Sequence, residues 1–163
     1  MTDQFAGAFR NTELTQVTRS RAYYPPIARE HRMTAGVPVQ VEGAGGSITA
    51  LPILQDHGDI TSLGFRFGRL AYSCDLSGLP EASVAALAGT AVWIVDALRY
   101  RPHPSHFSVD DALAWIARIK PGRAILTNLH ADLDYDELRS KLPPHVEPAF
   151  DGLRIEMPDE SLA

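Results

Sequence analysis

The sequence predicts an α/β fold, a mixed sheet with flanking helices, on two observations. From Val37 to Cys74, apolar residues recur with period two between glycine-containing turns, the pattern of half-buried strands. After Pro80 the pattern changes. Helical periodicity alternates with two continuous apolar runs, Val92–Val95 and Ala124–Leu126, of a length suited to buried strands. A third observation concerns chemistry. His57, Asp75, His106 and His130 each end an apolar strand, follow one, or sit in the loop after one. Side chains placed there are held by a rigid sheet while their heads reach a cleft.

In chain order, Val37, Val39 and Val41 alternate with polar or turn-forming residues and predict a half-buried strand ending at Glu42. Gly43–Gly46 supplies a turn and lacks the strand-to-helix setting of a phosphate loop. A second strand is expected to end at Ile53, with His57 just beyond it. Leu63, Phe65 and Phe67 predict a third strand, and Gly68–Arg69 reverses it into Leu70–Cys74. The four form an antiparallel meander. Pro80 opens a helix with Val84, Leu87 and Ala88 on its apolar face. The Val92 strand ends in Asp96, a further carboxylate at a strand end. RYRPHPSHF, residues 99–107, is a proline-punctuated loop that brings His103 and His106. Ser108 is a good N-cap, followed by Asp110 and Asp111, and Val109, Leu113 and Ile116 face inward. Pro121–Gly122 stops that helix. The Ala124 strand runs into Thr127-Asn128-Leu129-His130, Asp134 caps a short helix through Leu138, and Val146–Ala149 and Leu153–Met157 predict closing strands around Asp151–Gly152.

Three segments follow from this: an irregular stretch over 1–36, a folded portion over 37–157 and a tail over 158–163. In the first, Phe5, Ala8 and Phe9 suggest a helical turn or two. Tyr23-Tyr24 before Pro25-Pro26 is either packing in an irregular connection or a substrate-stacking lip. His31, in a charged context, reads as solvated.

With 163 residues the chain is one domain by size and long enough to bury a core. Apolar residues make up 45% and charged residues 21%, an ordinary globular balance. A net charge of -5 carries no strong nucleic-acid signal. No apolar run is long enough to span a membrane, and the first residues lack a signal-peptide pattern, so the expected location is cytoplasmic. The single cysteine, Cys74, excludes an internal disulfide and reads as a small core residue or, less simply, a ligand. Imidazole and carboxylate donors suit zinc, manganese or iron, and the near absence of thiols disfavours a structural zinc site. Asp132 and Asp134 either orient the ring of His130 from behind or serve only to cap the next helix. His145, after two prolines, reads as solvated.

QDHGDITSLGFRF, YSCDLSGLP, DALRYRPHPSHFSVDDAL, ILTNLHADLDYDEL and VEPAFDGLRIE, in this order, resemble the metallo-β-lactamase superfamily. More narrowly they resemble its phosphodiesterase branch, related to the carbon–phosphorus lyase accessory phosphodiesterase. The likeness covers about residues 37 to 157. It implies an αββα sandwich, two divalent metal ions (zinc or manganese) and a small phosphate-ester substrate. His57 matches the histidine completing the first metal site, Asp75 the aspartate bridging both metals, and His130 the last ligand histidine, at a point where many relatives carry a Thr-His pair. His106 matches a non-ligand histidine that acts on the scissile phosphate. The family's upstream HxHxDH motif does not occur in this sequence. The resemblance is therefore to the C-terminal portion of the fold, which implies weak metal binding and a partner: a missing N-terminal half or a second copy in a homodimer. Two expectations follow. One is a metal-dependent hydrolase of phosphodiesters, cyclic ribosyl phosphates or nucleotide-like esters, inactive alone. The other is a truncated fold without catalysis, a binding or interaction module or a non-functional fragment.

Overall fold

The computed structural model describes residues 30–157. The chain divides into two compact units, Met1–Met33 and Thr34–Ala163, and the fold below is that of the second. The readings made for Phe5–Phe9, for Tyr23-Tyr24 and for the tail 158–163 lie outside the described residues. His31 is exposed.

Seven strands form one mixed sheet in sequence order: β1 Val39–Gly43, β2 Gly46–His57, β3 Ile60–Phe67, β4 Leu70–Ser73, β5 Val92–Asp96, β6 Arg123–Thr127 and β7 Val146–Pro148. β1 to β4 are the antiparallel meander that the period-two pattern predicts. β4 to β7 are parallel. Each parallel step needs a crossover, supplied by α1 Glu81–Ala86, α2 Val109–Ile119 and α3 Tyr135–Lys141. Right-handed crossovers that all step in one direction leave all their helices on one face. The core accordingly lies between those helices and one side of the sheet, where Ala71, Trp93, Val95, Ala124, Leu126 and Val146 meet Leu87, Val109, Ala112, Ile116 and Leu138. The other face carries a registered row of Pro52, Phe65, Tyr72, Ile94 and Ile125.

Local chemistry explains the helix ends. Ser108 and Asp111 form a reciprocal capping box at α2, and Lys120, at φ 57°, closes it in the left-handed region before Pro121. Asp134 caps α3 by accepting from Glu137 N at 2.9 Å. Ser83 in α1 is buried because its hydroxyl donates to Leu54 O at 2.6 Å, tying the helix to β2.

Three expectations need correction. β2 does not end at Ile53 but pairs with β3 as far as His57↔Ile60, closing on the two-residue turn Gly58–Asp59 with Gly58 at φ 62°. His57 is therefore the last residue of a strand. β1 is not half-buried: it pairs only with Gly46–Ala50, the part of β2 before the pairing with β3 begins, and Val41 is 44% exposed. Leu153–Met157 is not a strand; the Asp151–Gly152 turn is present, but the residues after it join no sheet.

Candidate metal centre at the strand ends

β2, β4, β5 and β6 run the same way, so their C-terminal ends share one edge of the sheet. That edge is where open α/β sheets place ligands. His57 ends β2, Asp75 lies two residues past β4, Asp96 ends β5 and Asn128 follows β6. The loop after β5 returns His103 and His106 to the same edge.

His57, Asp75 and His106 each offer a ligand atom there, and these atoms lie within 4.8 Å of one another. His57 Nδ1 is 2.5 Å from the carbonyl of Ser105, an acceptor only, so this nitrogen carries the proton and Nε2 keeps its lone pair. The rings of His57 and His106 meet edge to face at 4.8 Å between centroids, and His103 lies 5.1 Å from His106. Gly58 permits the approach, because a Cβ there would come 3.1 Å from that of Ser105.

The periodicity gave no role to Asp96, yet it is the most connected acid at this edge. It is fully buried and accepts from His106 Nδ1 at 2.7 Å, from Asn128 Nδ2 at 3.1 Å and from Leu76 N at 3.4 Å. Like a carboxylate behind a catalytic or metal-bound imidazole, it fixes the ring's orientation and leaves Nε2 as the free nitrogen. Its position at the end of a buried strand was the available signal; its pairing with a residue ten positions on was not.

His130 does not join the converging group. Asn128 adopts φ 59°, and His130 N then bonds to Leu98 O at 2.8 Å. The His130 ring stands half-exposed beside Asp132, with Nδ1 3.3 Å from a carboxylate oxygen. Asn128 reaches Asp96 and His106 instead. Of the two acids weighed as supports for His130, Asp132 touches its ring and Asp134 caps α3. His145 is exposed and lines a cleft with Arg123 and Arg139 at the opposite strand ends.

Cys74 is partly buried rather than a core residue, and its sulfur lies within 4.8 Å of carboxylate oxygens of Asp75 and Asp96. Burial, then the charge of Asp96, pushes its thiol up from the ordinary range. Burial above all, with Cys74 next, raises the Tyr72 phenol to about 12. Desolvation and then the Arg99 charge lower His103.

The profile of the beta-lactamase superfamily domain matches residues 6–128. A diphosphatase of the PhnP family is 30% identical, with TM-score 0.71 over 80% of this chain and 49% of its own. The metallo-beta-lactamase fold protein YhfI of Bacillus subtilis is 15% identical, with TM-score 0.64 over 88% of this chain and 60% of its own, a likeness of fold alone. An octanoyltransferase of Porphyromonas gingivalis is 30% identical over 135 residues, 80% of this chain. The chain spans 26% of that protein and about half of the diphosphatase. No helix among the described residues is long and apolar enough to cross a membrane. By the match to its domain profile over most of its length, this chain belongs to the metallo-β-lactamase superfamily.

Proposed function

We propose that these strand ends form a metal-dependent site for hydrolysing small phosphodiesters, cyclic ribosyl phosphates or nucleotide-like esters, with zinc or manganese as the metal. The observation that carries this is the convergence of His57, Asp75 and His106 within 4.8 Å. His57 and Asp75 supply an imidazole and a carboxylate, donors of the type such an ion takes, and His106 stands beside them. The likeness to a protein described as a diphosphatase supports a phosphoryl compound as substrate. When bound, a divalent ion supplies charge stabilisation at the phosphoryl oxygens and a lowered pKa for water.

His57 and Asp75 are assigned to hold the ion. His57 donates through Nε2, its other nitrogen being committed to Ser105 O. His106 is assigned to the reacting phosphate. With Nδ1–H held by Asp96, its Nε2, once it has itself taken up a proton, delivers that proton to the leaving oxygen or, as the imidazolium, stabilises charge on the phosphoryl group. The same convergence favours a second reading, in which His106 is a third ligand. His106→Ala separates the two. The first reading expects turnover of bis(4-nitrophenyl) phosphate to fall by about 10²-fold or more with metal content unchanged. A matched loss of metal makes His106 a ligand. A wild-type chain that neither binds zinc or manganese nor turns over the ester overturns the proposal.

A further inference from the structure

Asp75 is a non-glycine residue at φ 57°, sparsely populated backbone that persists only where its surroundings hold it. What holds it comes from the neighbouring hairpin. The side chain of Gln55, in β2, is fully buried, and its amide Nε2 donates to the carbonyl of Cys74 at 2.9 Å and to Ser62 Oγ at 3.0 Å. Ser62, in β3, in turn donates its hydroxyl to the carbonyl of Asp75 at 2.6 Å. Two consecutive carbonyls of the ligand-bearing turn are thus pinned by one amide and one hydroxyl.

The orientation of that amide is set by its acceptors. Turning it over would press Oε1 against the Cys74 carbonyl. As placed, Oε1 is buried with no hydrogen-bond partner, an uncompensated polar atom of the kind found where function overrides stability. Room for it exists only because residue 64 is glycine: a Cβ there would lie 2.2 Å from Oε1. Gln55, Ser62 and Gly64 therefore form one device on two strands, and its product is the conformation of Asp75.

We propose that Gln55 and Ser62 are positioning residues for Asp75, pinning the Cys74 and Asp75 carbonyls so that the Asp75 carboxylate faces His57 and His106. Its consequence for metal rests on the reading that Asp75 is a ligand; its consequence for the backbone does not. Neither residue belongs to the group of converging ligand atoms.

Two readouts on the full chain test it. The first is cobalt(II) titration followed by visible absorbance. Gln55→Met keeps the length but removes both donors, and Ser62→Ala removes only the hydroxyl. Each should weaken cobalt binding by about 10–100-fold, the usual effect of losing a group that orients a ligand. Ser62→Thr, which keeps the hydroxyl, should restore it, whereas a general loss of packing would not be rescued that way. The second is the intraresidue amide-to-Hα NOE of Asp75 by NMR, strong at positive φ in the wild type and weakened in both variants. Wild-type affinity in Gln55→Met and Ser62→Ala, with an unchanged Asp75 NOE, overturns the positioning role. A wild type that binds no cobalt overturns the metal reading instead, and the NOE still decides whether Gln55 and Ser62 set the Asp75 backbone.

Discussion

Asp96 is the group on which this site is most exposed to a single substitution. Its two oxygens accept from His106, Asn128 and Leu76, and none of its surface reaches water. Asp96→Asn keeps the shape but turns one acceptor into a donor. Facing His106, the new amide no longer accepts from Nδ1 and carries no charge to stabilise the imidazolium. Losing such an orienting carboxylate costs about 10–100-fold in metal affinity or activity, equivalent to about 1.4–2.7 kcal/mol. Asp96→Ala instead leaves donors without an acceptor. His106 and Asn128 can turn partly to water, so the penalty falls toward the lower end of the range for stranded groups, about 2 kcal/mol in total. For a chain of this size that lowers Tm by roughly 4–8 °C. Cobalt titration, turnover of bis(4-nitrophenyl) phosphate and thermal melts by circular dichroism measure all three quantities. If Asp96→Asn binds metal and turns over ester like the wild type, and Asp96→Ala melts at the wild-type temperature, the buried dyad neither orients His106 nor stabilises the edge.

Three other outcomes follow from the structure. His130→Ala should leave metal affinity unchanged, because that ring stands beside Asp132, whereas Asn128→His should raise affinity by placing an imidazole beside His106 and Asp96; cobalt titration of both variants checks this. Ser108→Ala removes one side of the α2 capping box and should cost about 1 kcal/mol in urea unfolding. Tyr72 is 41% exposed, so solvent keeps the effect small, but its phenol, raised to about 12 by partial burial and then by Cys74, keeps its proton in the folded chain after the unfolded chain has lost it near about 10. Stability should therefore fall as pH rises between those values, and Tyr72→Phe should flatten that slope in urea midpoints and remove one late tyrosinate at 295 nm.

Much of this architecture is legible in the sequence. Period two in β1 to β4, continuous apolar runs in β5 and β6, Pro80, Ser108 and Asp134 as helix starts, and Pro121 as a stop are local properties, and the chain obeys them. Expectation failed where pairing outvoted pattern: β2 runs on to His57 because β3 offers partners as far as Ile60, and Leu153–Met157 finds no strand to join.

The site divides the same way. The sequence by itself determined that histidines and acids sit at or just past strand ends, since apolar runs mark the strands and parallel strands share an edge. It marked His57, Asp75 and His106, which the structure brings together, and His130, which it does not. Tertiary structure alone decided the partners. Asp96 meets His106 because the loop after β5 folds back. Asn128 takes the place beside them because one residue adopts positive φ. Gln55 reaches the Cys74 carbonyl nineteen residues on because Gly64 leaves it room. A side chain's direction depends on backbone dihedrals and on neighbours distant in the chain. Hydrophobic period reports only which face of an element is dry.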